Sequence, residues 1–267
     1  MVYRAFAFDV DGTLLDSQAR LRPRVLAALE ALRQTGALLL VATAVPQRFA
    51  RAKLAEAPFL CERGVFLGGA HVVDDAGGFC RQVQMDAAAA QGLIEGLAAA
   101  DPALQILVQT GPDHHALRLP MPGDVLASWG YPPEALIPFE ETLGAPCAKI
   151  VAWHESLDLH PLCKELQGRL EGRARLFPSE NGHWLQATAW EADKGRGLLA
   201  LLEHLGIFPA ETVALGDELP DVDMFRVVGV SVAMGNAPAA VQAEATWVTA
   251  SCDEDGVALA IERLMGQ

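Results

Sequence analysis

An α/β core interrupted by an α+β insert is the fold that this 267-residue sequence predicts. Three observations carry the prediction: short apolar runs alternate with helix-period segments in the first part of the chain, a middle stretch follows a different rhythm, and the first pattern then resumes. The length suits one large domain or two ordinary ones. An apolar fraction of 51% is enough to bury a sizeable core without disulfides.

The elements follow in order. Tyr3–Val10 is a short apolar run before a turn, as in a buried parallel strand. Pro23–Gln34 places Val25, Leu26, Leu29 and Leu32 at helical spacing, opens on proline and stops at Gly36. Ala37–Ala42 predicts a second buried strand and Pro46–Ala57 a second helix, and Val65 to about Met85 reads as short strands around the Asp75-Ala-Gly-Gly turn. In the middle, helix-like Asp86–Ala100 and strand-like Leu104–Thr110 precede a proline-rich stretch holding Pro120, Pro122, Pro132, Pro133, Pro138 and Pro146. Ala148–Trp153 then reads as a strand, Leu157–Leu170 as a helix and Arg175–Thr188 as a hairpin turning at Asn181-Gly182. Alternation resumes with a helix over Lys194–Leu205, a strand over Thr212–Leu215, a helix over Asp221–Val228 and a strand over Val230–Met234. Trp247–Thr249 is a last short strand and Val257–Met265 a closing helix. The expected organisation is a discontinuous core, 1–83 with 188–267, and an insert over 84–187.

Charge narrows the function classes. Twenty Lys+Arg against 34 Asp+Glu leave a net −14 and a pI near 4.8. No dense basic surface exists for a nucleic acid or an anionic membrane. The longest apolar stretch, Ala37–Val45, is far shorter than the ~20 residues of a membrane span, and the N-terminal segment lacks the apolar core of a signal peptide. The five cysteines, Cys61, Cys80, Cys147, Cys163 and Cys252, have no CxxC spacing and read as reduced, mostly buried thiols of a cytoplasmic protein. His154-Glu155 begins like HExxH, but Asp158 stands where the second histidine is needed. Gly64, Gly68 and Gly69 do not make GxGxxG and suit tight strand ends.

Some acids are placed rather than scattered. Asp9-Val-Asp11-Gly12-Thr13 directly follows the first strand, at the end where open parallel sheets bind ligands. It is no EF-hand, since the sixth and twelfth positions are Leu14 and Arg20. Two carboxylates one residue apart make a cation site, and Gly12 lets the chain turn and offer amides to an anion. Thr43 ends the second strand pattern, Lys194 begins a helix, and Gly216-Asp217-Glu-Leu-Pro-Asp221 follows another buried strand. In a parallel sheet these ends converge. The chemistry this suggests is phosphoryl transfer: Mg²⁺ held by oxygen ligands, a carboxylate nucleophile, and a lysine and hydroxyl orienting the transferring group.

Phe8-Asp-Val-Asp-Gly-Thr-Leu-Leu-Asp16 resembles the first motif of the haloacid dehalogenase (HAD) superfamily. Ala42-Thr43 resembles its second motif, Asp193-Lys194-Gly195 its third, Gly216–Asp221 its fourth, and Val232-Ala-Met-Gly-Asn-Ala237 a stretch typical of the Cof-like sugar-phosphate phosphatases. The span from Asp9 to Thr43 holds only one helix and one strand, so the insert lies between the second and third motifs, similar to a type C2B cap. The resemblance implies a Rossmann-like parallel-sheet core with a mobile α+β cap, and a Mg²⁺-dependent phosphatase working through an aspartyl-phosphate. It assigns Asp9 as nucleophile and Asp11 as the acid–base group, which must start protonated and would be helped by neighbouring acids. Thr43 and Lys194 would hold the phosphoryl group, and Asp9, the Asp11 backbone carbonyl, Asp217 and Asp221 would hold the metal. The implied partner is a small phosphorylated metabolite bound by a cytoplasmic monomer or homodimer. A phosphotransferase or mutase, and a non-catalytic phospho-sugar-binding protein, are the alternatives on the same scaffold.

Two positions depart from the family pattern: the chain reads Thr43-Ala44-Val45 where Thr-Gly-Arg is common, so that Val45 replaces the arginine, and Pro220 stands where Asn precedes the last acid. Arg48, three residues past Val45, is the candidate replacement. Gly12, Ala44, Arg48, His183 and Trp184 are the expected substrate contacts, although packing is the simpler reading of Trp184. His114 and His115, after a turn, read as surface residues.

Overall fold

The computed structural model describes residues 3–128, 131, 133–179 and 181–266. The chain forms two compact units, Met1–Arg81 with Asp193–Gln267, and Gln82–Ala192. The first segment holds β1 (Ala5–Phe8), α1 (Pro23–Gln34), β2 (Leu38–Ala42), α2 (Gln47–Lys53), β3 (Arg63–Phe66), β4 (His71–Asp74) and β5 (Phe79–Gln82). The second unit holds α3 (Ala87–Ala100), β6 (Gln105–Gln109), β7 (His115–Leu117), α4 (Gly123–Ser128), β8 (Lys149–Trp153), α5 (His160–Arg169), β9 (Ala174–Pro178) and β10 (Trp184–Ala189). The chain then returns through α6 (Lys194–Leu205), β11 (Thr212–Gly216), α7 (Val222–Phe225), β12 (Val230–Ala233), α8 (Ala239–Gln242), β13 (Trp247–Val248) and α9 (Gly256–Met265).

The larger unit is built on one sheet in the order β13-β12-β11-β1-β2-β3-β4-β5. From β13 to β3 neighbouring strands are parallel, and β4 runs antiparallel to β3. Strand side chains alternate between two cores, as the period of two requires. Phe6, Phe8, Leu39, Val41, Val213 and Leu215 pack with Val25, Leu29 and Ile261 of α1 and α9. Ala5, Ala7, Leu40, Ala42 and Ala214 face Leu198, Leu201 and Leu202 of α6. α6 starts sharply because the Asp193 carboxylate caps it, accepting Arg196 N–H at 2.7 Å, and it ends at left-handed Gly206. These ends place Lys194 in the first turn, at the carboxyl end of the sheet.

The smaller unit is a five-stranded sheet in the order β7-β6-β8-β10-β9, antiparallel throughout. An expected return to the core at residue 188 falls inside β10. Thr188 still pairs with Lys149 and Arg175, so the strand's hydrogen bonding carries this unit on to Ala192. Other differences are of length. α2 ends at Lys53 rather than Ala57, and the helix expected over Asp221–Val228 is a 3-10 turn at Leu219–Asp221 leading into the short α7. α5 begins at His160, beside Pro161, because the His154 ring accepts the Ser156 and Leu157 amides and holds the preceding residues in a turn. His115 is fully buried, unlike exposed His114: β7 pairs it with Gln109 and its ring lies 4.7 Å from that of Tyr131. Four of the five cysteines are buried and all are free thiols; only Cys80 is exposed. No helix among the described residues is long and apolar enough to cross a membrane.

Candidate active site

Asp9 is the first residue past β1, and its amide donates to Leu215 O at 3.0 Å, continuing the ladder beyond the strand. Asp217 stands one residue past β11, and Asp221 closes the turn after it. Lys194 comes in from α6 and places its Nζ 2.6 Å from Asp9 Oδ1 and 2.6 Å from Asp221 Oδ1. The Asp221 carboxylate is fully buried, and its second oxygen accepts the amides of Asp217 and Glu218, both at 2.9 Å. Asp9, Asp217 and Asp221 each offer an oxygen within 4.8 Å of the others. All three carboxylates and the lysine are buried.

The electrostatics follow from this crowding. Burial pushes the Asp9 carboxyl well above the usual range against the pull of Lys194, and Asp221 and Asp217 add to the rise. Burial, then the Asp221 charge, pushes Asp217 up to about 7. At Lys194 burial opposes the charge, but the Asp221 and Asp9 carboxylates outweigh it and hold the ammonium above its ordinary value. One ammonium among three carboxylates leaves an excess of negative charge. The donors are all hard carboxylate oxygens, so the residues fit a small divalent cation such as Mg²⁺.

Gly12 adopts φ +78°, and a Cβ there would sit 2.3 Å from Asp217 Oδ2; only glycine lets the Asp9 loop lie against that carboxylate. Thr13 Oγ1 donates to Asp217 Oδ1 at 2.8 Å. Thr43 is buried at the end of β2, where its amide donates to Val65 O at 2.8 Å and its Oγ1 accepts the Val45 amide at 3.3 Å. Ala44 and Arg48 are half-buried, Arg48 within α2.

Of the expected site residues, the structure therefore gathers Asp9, Lys194, Asp217 and Asp221, with Gly12 against them. The Asp11 carboxylate stands outside that cluster and is half-exposed. It meets the ammonium of Lys53, which also sits 4.8 Å over the Phe49 ring. Its ion-pair partner is thus a cation rather than the acids expected around it. His183 and Trp184 belong to the smaller unit, where His183 Nδ1 lies 3.2 Å from Leu157 O and the Trp184 ring stacks on Trp153 at 5.1 Å.

Three contributors escaped sequence reasoning. Thr13 belongs to the first motif, and Asn236, whose Nδ2 donates to Asp217 Oδ2 at 3.2 Å, to the Met-Gly-Asn-Ala stretch. Both could have been singled out as polar residues beside glycines at strand ends. Lys53 carried no such signal.

Known proteins share this architecture. The family model of haloacid dehalogenase-like hydrolases matches residues 6–261. Pyridoxal phosphate phosphatase YbhA of Escherichia coli is 27% identical, over 97% of each chain. A haloacid dehalogenase-like hydrolase from Bacteroides thetaiotaomicron superposes with a TM-score of 0.81 at 27% identity, covering 98% of this chain and 99% of that one. A sugar phosphatase of HAD subclass IIB shares the fold at a TM-score of 0.80 and 21% identity, covering 98% of this chain and 99% of that one. With the family model spanning nearly the whole chain, the protein belongs to the haloacid dehalogenase-like hydrolases and is a phosphatase of that family.

Proposed function

We propose that the protein is a Mg²⁺-dependent phosphatase that hydrolyses a small phosphorylated metabolite, sugar phosphates foremost, through an aspartyl-phosphate on Asp9. The observation that carries this reading is the buried Lys194 ammonium bridging Asp9 and Asp221 beside Asp217. An Asp9 oxygen attacks phosphorus, the new O–P bond forming as the bond to the leaving oxygen breaks. Once its ion pair with Lys53 is broken and it has taken up a proton, Asp11 gives that proton to the leaving oxygen, then takes one from the water that attacks the aspartyl-phosphate and releases phosphate. Lys194 offsets charge on Asp9 and the phosphoryl group, and the Thr43 hydroxyl donates to a phosphoryl oxygen.

Asp9, Asp217 and Asp221, with the backbone carbonyl of Asp11, would hold Mg²⁺, Asp221 directly or through water. When bound, the ion supplies positive charge that a net −14 chain otherwise lacks for an anionic substrate. Gly12 and Ala44 would offer backbone amides to the phosphate. Arg48 would contact the rest of the substrate, and the Gln82–Ala192 unit, which holds His183 and Trp184, is the one we read as the cap. The relatives' differing substrates, pyridoxal phosphate in one and sugar phosphate in another, support a metabolite class rather than one compound.

Asp9→Asn tests the reading. The variant should retain its fold by circular dichroism yet release no 4-nitrophenol from 4-nitrophenyl phosphate with Mg²⁺ present. Undiminished turnover would overturn the assignment of Asp9.

A further inference from the structure

Asn236 joins three loops through one amide. Its Nδ2 donates to the Gly12 carbonyl at 2.9 Å and to Asp217 Oδ2 at 3.2 Å, while its Oδ1 accepts the Cys252 amide at 2.9 Å. Those loops follow β1, follow β11 and precede α9. The sheet delivers Asn236 to this place. β12 runs parallel to β11, Met234 N–H extends the ladder to Gly216 O at 3.0 Å, and Gly235 N–H reaches Ala250 O at 3.0 Å. A Cβ on Gly235 would lie 2.7 Å from Ser251 N, so glycine at this position allows the close approach that brings Asn236 to Cys252.

The consequence falls on Asp217. Thr13 donates to one of its oxygens and Asn236 to the other, so both the rotamer and the plane of the carboxylate are fixed by neutral donors. A cation in place of either donor would neutralise the carboxylate; a neutral amide or hydroxyl orients it and leaves its charge for a metal. Holding the Gly12 carbonyl also fixes the Gly12–Thr13 peptide, one residue on from the Asp11 backbone carbonyl that is a proposed ligand on that loop.

We propose that Asn236 is a positioning residue for the divalent cation, setting the Asp217 carboxylate and the Asp9–Thr13 loop in register before the metal arrives. This rests on the reading of Asp217 as a metal ligand. Partners that orient ligands in this way commonly change metal affinity by about 10–100-fold when removed.

The test is isothermal titration of the full chain with MgCl₂ alone, comparing wild type with Asn236→Ala. The variant should bind Mg²⁺ at least about tenfold more weakly. Its half-activating Mg²⁺ concentration for 4-nitrophenyl phosphate should rise in parallel, and excess Mg²⁺ should recover most of the lost rate. A purely structural role would lower the melting temperature without that rescue. Should Asn236→Ala not fold, Asn236→Leu, which keeps the branched shape and replaces the polar atoms with methyl groups, carries the same comparison. A folded variant with wild-type Mg²⁺ affinity overturns the proposal. Failure of the wild type to bind Mg²⁺ would overturn instead the metal reading beneath it.

Discussion

Replacing Asp217 with asparagine removes one charge from the buried cluster while nearly keeping its shape. The Asp217 carboxyl is pushed from 3.8 up to about 7, first by burial and then by Asp221. That is a displacement of about three pH units, and at ~1.4 kcal/mol per unit the ionised group costs the metal-free fold about 4 kcal/mol above pH 7. The sign follows from linkage. Between pH 4 and 7 the folded state keeps a proton that the unfolded chain has lost, so stability falls as pH rises through that window. Asparagine can still accept from Thr13, but it turns an amide toward Asn236 and loses that bond, a cost of about 1 kcal/mol. The net gain is about 3 kcal/mol, or roughly 6–12 °C for a unit of this size. Differential scanning calorimetry in EDTA reads it as the transition of the larger unit. Asp217→Asn should melt above wild type at pH 8, with the gap closing toward pH 4, and should gain less than wild type from added Mg²⁺. A variant that melts at or below wild type at pH 8 would refute the claim that uncompensated negative charge defines this site.

Two further substitutions probe the same cluster. Lys194→Met leaves the buried Asp9 and Asp221 without their ammonium, and urea unfolding at pH 8 should show a loss of about 3–5 kcal/mol together with loss of phosphatase activity. Gly12→Ala forces a Cβ against Asp217 at positive φ; it should cost about 1–3 kcal/mol and raise the Mg²⁺ concentration needed for turnover.

Much of this site is written in short stretches of sequence. Asp9, Lys194 and the Asp217–Asp221 turn each follow a strand or open a helix whose apolar pattern is plain, and parallel pairing then brings those ends together. What could not be read are the contacts made by side chains far apart in the chain. The partners Thr13 and Asp217 are 204 residues apart, and Asn236 and Gly12 are separated by 224, so no local period records either pairing. Lys53, the last residue of α2, meets Asp11 across 42 positions of chain, a matter of tertiary packing. His115 misled for a similar reason: a turn precedes it, but pairing with β6 and the Tyr131 ring put it inside.

That Asp9 carries the phosphoryl group is tested most directly by a covalent measurement. The protein is mixed with a phosphorylated substrate and Mg²⁺, quenched in acid within milliseconds, digested, and its peptides weighed. The peptide containing Asp9 should gain the mass of one phosphoryl group, and the Asp9→Asn protein should show none. A wild-type enzyme that turns over while that peptide stays unmodified at every quench time, or a phosphoryl group found on another residue, would contradict it.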